Sequence, residues 1–360
     1  MPDHMNDSEL ARRFRDSAIQ SAPRAPLNAA LADAIARRPN LWSLLGEAPT
    51  EQQLPVLLLA AIHHLVLADP DHRLARWYPN ITESPFPADD PRLAATLETF
   101  VMERADEVRS LVRTRRVQTN EVGRCAVLLP AFGMIGDEVG PVTHLDVGTS
   151  AGLNLLLPRF AYRYDDRPLI GDHTSSVELE CSTRGTAPTP LTDLEMPNVR
   201  RGCGVDLRPI DISDADDARW LEACCWPDQA DRFHRLRAAI ELARATPPDV
   251  VQGDAVDSLS QSIERLSTDG HPVVTTTWAL NYLPPDRRTA FVDELDRLAE
   301  HTDLSWISAE APALTPELPH AVDPVDPHRT ELTLVTWRAG RREVRHLAET
   351  HPHGYWIHWR

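Results

Sequence analysis

HLDVGTSAGLNLLL, residues 144–157, decides the fold, because it can be cut into two patterns that imply different chemistry. Cut from Gly148, it reads Gly148-Thr149-Ser150-Ala151-Gly152, a G-x-S-x-G elbow that lifts a nucleophilic serine off the end of a strand. Cut from Asp146, it reads Asp146-x-Gly148-x-Ser150-x-Gly152: an acid ending a strand, then a small-residue turn that lets a ligand approach the backbone. The choice rests on what flanks the loop.

Upstream, residues 1–138 read as helical. Apolar residues at Leu93, Leu97, Phe100, Val101, Val108, Leu111 and Val112 recur three to four apart, predicting a long helix opened by Asp90-Pro91. Another is expected from Thr119, as its cap, through Leu129. From Val142 the pattern changes. THLDVG is a strand with a helix from Leu153 behind it, and GVDL (204–207), DVVQGD (249–254), PVVTTTW (272–278) and LSWISAE (304–310) are further strands. Helices over Trp220–Arg244 and Asp286–Glu300 lie between them. The tail holds ELTLVTW, EVRHLA and YWIHW, short strands joined by turns at Ala339-Gly340 and His353-Gly354, which predict an antiparallel edge. Segment 165–200 is an insertion rich in Pro, Gly and Thr with one strand over 177–181. The expected architecture is α/β: a doubly wound, mostly parallel sheet with an antiparallel C-terminal edge over 139–360, plus an all-helical N-terminal domain over 1–138.

Composition narrows the function classes. The 360 residues are 42% hydrophobic and 25% charged, ordinary globular values, and the net charge is −17 with every one of the 37 basic residues an arginine. That acidity argues against a nucleic-acid partner. The N-terminus is polar and charged, unlike a signal peptide. The apolar run from Leu54 to Ala68 is interrupted by His63 and His64 and is too short to span a bilayer. Five cysteines without a C-x-x-C pair suggest a reduced, cytoplasmic protein with buried thiols and no metal.

A serine elbow sits behind several strands and an oxyanion loop, whereas here a helical chain precedes the first strand. An acid and a histidine follow Ser150, such as Asp303 and His351, but with 54 acids and 15 histidines that order carries no information. A dinucleotide loop needs G-x-G-x-x-G, and Ser150 and Leu153 stand where two of those glycines belong. From Asp146 onward, the loop resembles the first nucleotide-binding loop of S-adenosylmethionine-dependent methyltransferases. Three acids then fall at the ends of successive strands, where open sheets bind ligands: Asp146 for the cofactor's ammonium, Asp206 for both ribose hydroxyls, and Asp254, with Ala255, for adenine. Gly148, Ser150, Gly152, Asn154 and Trp278 complete the expected cofactor-binding set.

DVGTSAGLNLLLPRFAYRY, together with RRVQTNEVGRCAVLLPA, DARWLEACCWPDQ, VVQGDAVD and the closing HPHGYWIHW, resembles a bacterial family known as domain of unknown function 2332 over nearly the whole chain. The family looks related to S-adenosylmethionine-dependent methyltransferases. The resemblance implies that fold and cofactor, with serine in place of the loop's middle glycine and no substrate named.

Substrate-side candidates complete the reading. Asn120, Glu121 and Arg124, in VQTNEVGR, are expected to lid the pocket and touch substrate, against the alternative of a helix cap. WALNY follows the fourth strand: Trp278 and Tyr282 could flank a sulfonium, and Asn281 could hold the nucleophile. Glu310, ending the fifth strand, is the candidate base. The expected activity is in-line methyl transfer to an unknown small molecule or protein. A non-catalytic cofactor- or nucleotide-binding protein and a hydrolase using Ser150 stay open as alternatives.

Overall fold

The computed structural model describes residues 7–185, 191 and 194–360; residues 186–190, 192 and 193 of the expected insertion lie outside the described residues. The chain forms two compact units, Met1–Thr119 with Asp211–Arg237, and Asn120–Ile210 with Ala238–Arg360.

The first unit is helical. Its helix Pro55–Ala68 begins with proline, which suits a first turn lacking N–H acceptors, and it is buried on all sides from Leu57 to Val66, His63 and His64 included. The long helix expected from residue 90 is instead two, Leu93–Glu103 and Ala105–Thr114. They break at Arg104, whose backbone leaves helical angles while its guanidinium reaches Asp69 at 2.7 Å. The helix expected over Trp220–Arg244 is also two, Ala215–Ala223 and Ala230–Ala245. Between them Pro227 cannot continue a helix, and Asp228 accepts from the Leu27 and Asn28 N–H groups at 2.7 and 2.9 Å, capping helix Pro26–Ala36 from far along the chain.

The second unit is built on an eleven-stranded, mostly parallel sheet. Its strands are β1 (Val142–Val147), β2 (Ala161–Tyr164), β3 (Ile170–Gly171), β4 (Glu178–Arg184), β5 (Val199–Asp206), β6 (Val250–Gln252), β7 (His271–Thr277), β8 (Leu304–Glu310), β9 (Thr330–Arg338), β10 (Arg341–Thr350) and β11 (Trp356–Trp359). They lie in the order β3-β2-β4-β11-β10-β9-β8-β7-β1-β5-β6. The run β6-β5-β1-β7-β8 is parallel throughout, and β9, β10 and β11 follow as an antiparallel meander. Every residue of β1 is buried, as a strand covered on both faces requires. Leu145 and Val147 share an apolar core with Ile263, Phe291 and Trp306, whereas His144 on the opposite face meets Phe132 of helix Cys125–Val139 at 4.9 Å between ring centres. All five cysteines are buried, free thiols.

Two further expectations are corrected in this unit. The helix behind the first strand is only a seven-residue 3-10 turn, Leu153–Arg159, because Pro158 stops it and the chain turns into β2. The C-terminal strands are antiparallel but are not the edge. Strand β4 pairs with β11 (Trp356 beside Ser182, His358 beside Arg184), so the insertion satisfies main-chain groups that an edge would leave open. Among the described residues the sheet ends at β3 and β6.

Candidate functional site

From β1 the strand order runs outward through β5 and β6 on one side and through β7 and β8 on the other. Such a reversal opens a crevice beyond the C-terminal ends of the two diverging strands. The GTSAG loop sits there, with left-handed φ angles at Gly148 (+73°), Ser150 (+57°) and Gly152 (+76°). A Cβ on Gly148 would lie 2.6 Å from the Ala279 methyl, so this loop approaches the turn after β7 more closely than any other residue would allow.

The loop's backbone N–H donors, from Gly148 to Leu153, are all occupied. Gly148 and Thr149 N–H bond the Val205 carbonyl, and Ser150 N–H bonds Asp206 Oδ2 at 2.8 Å. Ala151 and Leu153 N–H share Asn120 Oδ1 at 3.2 and 3.0 Å, and Gly152 N–H bonds the Thr149 carbonyl. A phosphate cradle needs such groups open. A serine elbow needs the N–H after the nucleophile, here Ala151, as an oxyanion donor. Ser150 Oγ is itself buried without a hydrogen-bond partner, so no base is set against it.

The edge is instead rich in acceptors. Asp206 is half-buried, its carboxylate aimed by the N–H groups of Ser150 (2.8 Å, to Oδ2) and Arg208 (2.8 Å, to Oδ1), which leaves each oxygen a further lone pair. Asp146 is fully buried and accepts from the hydroxyls of Thr149 (2.7 Å) and Thr275 (2.8 Å). Burial raises its pKa to about 6, against those two hydroxyls and the charge of Arg124. Asp254 is employed locally: Oδ1 accepts from Val256 N–H (2.8 Å), Asp257 N–H (3.2 Å) and Arg287. Its pKa falls because those donors outweigh its burial. Ala255 is half-buried beside it and packs on the sheet core.

On the β7–β8 side, Trp278 has a strained left-handed φ of +58°, its N–H on the Ala309 carbonyl and its indole N–H on Thr330 Oγ1 at 2.7 Å. Strain at non-glycine residues gathers where function over-determines the backbone, and here Ser150 and Trp278 follow neighbouring strands. Asn281 and Tyr282, expected beside them, are exposed, Tyr282 at 71%. Glu310 is wholly buried. Its Oε1 accepts from Ala279 and Leu280 N–H at 3.0 and 3.3 Å, and its Oε2 has no hydrogen-bond partner. Burial pushes its pKa up to about 7, against those N–H groups and Arg124.

Asn120, Glu121 and Arg124, expected on the substrate side, are buried. The cap of the turn Val122–Arg124 is Glu121 rather than Thr119: Glu121 accepts from Gly123 N–H at 3.0 Å and pairs with His353 at 3.3 Å. Arg124 donates to the carbonyls of Thr277 (2.7 Å) and Pro352 (3.0 Å), standing near both Asp146 and Glu310. Behind them Asn154 is buried and accepts from Cys125 Sγ at 3.6 Å.

A second acidic feature escaped the sequence reading. Glu310 lies directly opposite Glu331, and Glu331 opposite Glu349, so three buried glutamates cross β8, β9 and β10 in one row. Arg329 reaches Glu331 (2.8 Å) and Glu349 (3.4 Å), His346 bonds Glu331, and Arg360 bonds Glu349. The available signal was glutamate at the start of ELTLVTW and within EVRHLAET, but their alignment depends on strand register. Among the described residues no group of three or more His, Cys, Asp or Glu could hold a metal.

The structure thus defines a mixed α/β protein with an acceptor-lined edge at the reversal of a mostly parallel sheet. The chain belongs to the family described as "Uncharacterized protein conserved in bacteria (DUF2332)", whose model matches residues 11–359. No curated protein and no solved structure matches it. Among the described residues, no helix is long and apolar enough to cross a membrane.

Proposed function

We propose that the chain is an S-adenosylmethionine-dependent methyltransferase on a Rossmann-like sheet, acting on an unknown small molecule or protein by in-line transfer. The observation that carries this is the Asp206 carboxylate, held by two backbone N–H groups beside a loop with no N–H to spare. An edge of this kind suits a ligand rich in hydroxyls and positive charge, and opposes phosphates. S-adenosylmethionine has that chemistry: a vicinal diol, an ammonium and a sulfonium.

In this reading Asp206 takes the two ribose hydroxyls through its remaining lone pairs. Buried Asp146 supplies negative charge and fixes Thr149, while the Trp278 ring faces positive charge. Asp254 and Ala255 border the adenine end. Bound there, the cofactor supplies an activated methyl group. Glu310 accepts the acceptor group's proton on Oε2, since burial holds its pKa near neutrality, where a general base works best. The exposure of Asn281 and Tyr282 favours one alternative, a protein that binds the cofactor without transferring its methyl group.

Calorimetric titration with S-adenosylhomocysteine tests the proposal. Binding should weaken roughly tenfold to a hundredfold in Asp206→Ala, the loss expected for hydrogen bonds to a charged acceptor. No heat with folded, ligand-free wild type would overturn it. Turnover of labelled cofactor would then separate catalysis from binding.

A further inference from the structure

Ser150 holds a backbone conformation disfavoured for any residue with a Cβ, and its own side chain does nothing to stabilise it, since Oγ is buried and unbonded. The restraint comes from outside the loop. Asp206 Oδ2 holds the Ser150 N–H at 2.8 Å, Asn120 Oδ1 holds the N–H groups of Ala151 and Leu153 at 3.2 and 3.0 Å, and the Ser150 carbonyl accepts from Ile210 N–H at 3.3 Å. One amide oxygen has two lone pairs and uses both. Asn120 is 6% exposed, so water cannot readily replace it.

We propose that Asn120 is the positioning residue of the Asp206 carboxylate, acting through the loop between them. Its role as an aid to ligand binding rests on the cofactor-binding reading of Asp206. Without Asn120, two buried N–H groups lose their acceptor, and Ser150 is free to relax to right-handed angles. Its N–H then leaves Oδ2, which loses its backbone donor, while the Arg208 N–H stays on Oδ1. Asn120 therefore tunes a ligand site it does not enter.

The test uses Asn120→Ala, Asn120→Asp and the double variant Asn120→Ala with Ser150→Gly, each in the full chain. Hydrogen exchange over residues 148–154 should quicken at least about tenfold in N120A and stay slow in N120D, which retains the acceptor, while β7 and β8 remain unchanged. Glycine adopts left-handed φ without strain, so S150G on the N120A background should restore slow exchange at the residue 150 N–H, whose acceptor Asp206 Oδ2 remains, but not at Ala151 and Leu153, which still lack theirs. A purely structural role would show no such rescue. S-adenosylhomocysteine affinity should follow the same order, falling about tenfold in N120A and recovering in the double variant. Unchanged loop exchange in N120A, or no rescue by S150G, overturns the proposal. If wild type binds no S-adenosylhomocysteine, the methyltransferase reading falls, and the exchange data still decide whether Asn120 sets the loop. Should N120A fail to fold, Asn120→Ser carries the same comparison.

Discussion

Glu310→Gln isolates the consequence of a buried charge at the candidate base. The amide keeps an oxygen for the Ala279 and Leu280 N–H groups and nearly the same volume, but cannot ionise. Burial raises the glutamate's pKa from 4.5 to about 7. A folded-state value above the unfolded one means that stability is fully present below about pH 4.5 and is lost as pH rises through about 7. The two values differ by 7 − 4.5, about 2.5, and each unit corresponds to about 1.4 kcal/mol, so wild type loses roughly 3 kcal/mol by pH 8. Urea denaturation between pH 4.5 and 8 should show E310Q nearly level with wild type at the acidic end. At pH 8 it should be more stable by roughly 3 kcal/mol, and under the proposed methyltransferase function it should lose activity, a stability gained at the expense of function. If E310Q were less stable by the same amount at every pH, Glu310 would be ionised and held by Arg124 throughout, and the burial argument would be wrong.

Arg124→Ala should cost about 3–5 kcal/mol, because it strips donors from the Thr277 and Pro352 carbonyls and a counter-charge from Asp146 and Glu310; a loss under about 1 kcal/mol in urea denaturation would refute the brace. Gly354→Ala would put a Cβ 2.0 Å from the Gly123 carbonyl oxygen at a φ of +77°, so a loss above about 3 kcal/mol, or insoluble protein, is expected. Gly340→Ala, also left-handed at +73° but with open space around it, should cost only about 1 kcal/mol in the same assay. A fluorophosphonate probe should leave Ser150 unlabelled in mass spectra, because the Ala151 N–H is taken by Asn120; stoichiometric labelling would revive the hydrolase alternative.

Much of the parallel sheet is legible in the chain. Strands β1, β7 and β8 read as short buried runs, β5 is legible only in its last residues, and β1, β5 and β8 each place an acid at or next to their C-terminal end. Helix boundaries were less legible where a break depends on a partner, as at Arg104 with Asp69 and at Asp228 with Leu27. Pro158 in the sequence marks the end of the short turn after the loop. Asn281 and Tyr282 were placed by their distance from a strand end, which says nothing about whether the turn presents them inward.

By itself the sequence determined the central parallel strands, the glycine-dependent loop after β1, and the acids at or beside the ends of β1, β5 and β8. Periodicity, proline and glycine act within a few residues, so they can be read locally. The tertiary structure alone decided that β4 would close onto β11, that Glu310, Glu331 and Glu349 would share a row, and that Asn120 would take two loop amides. Each depends on registers and side chains brought together from distant parts of the chain. Whether a buried N–H is open to a ligand or already satisfied is set by those partners, not by its neighbours in sequence.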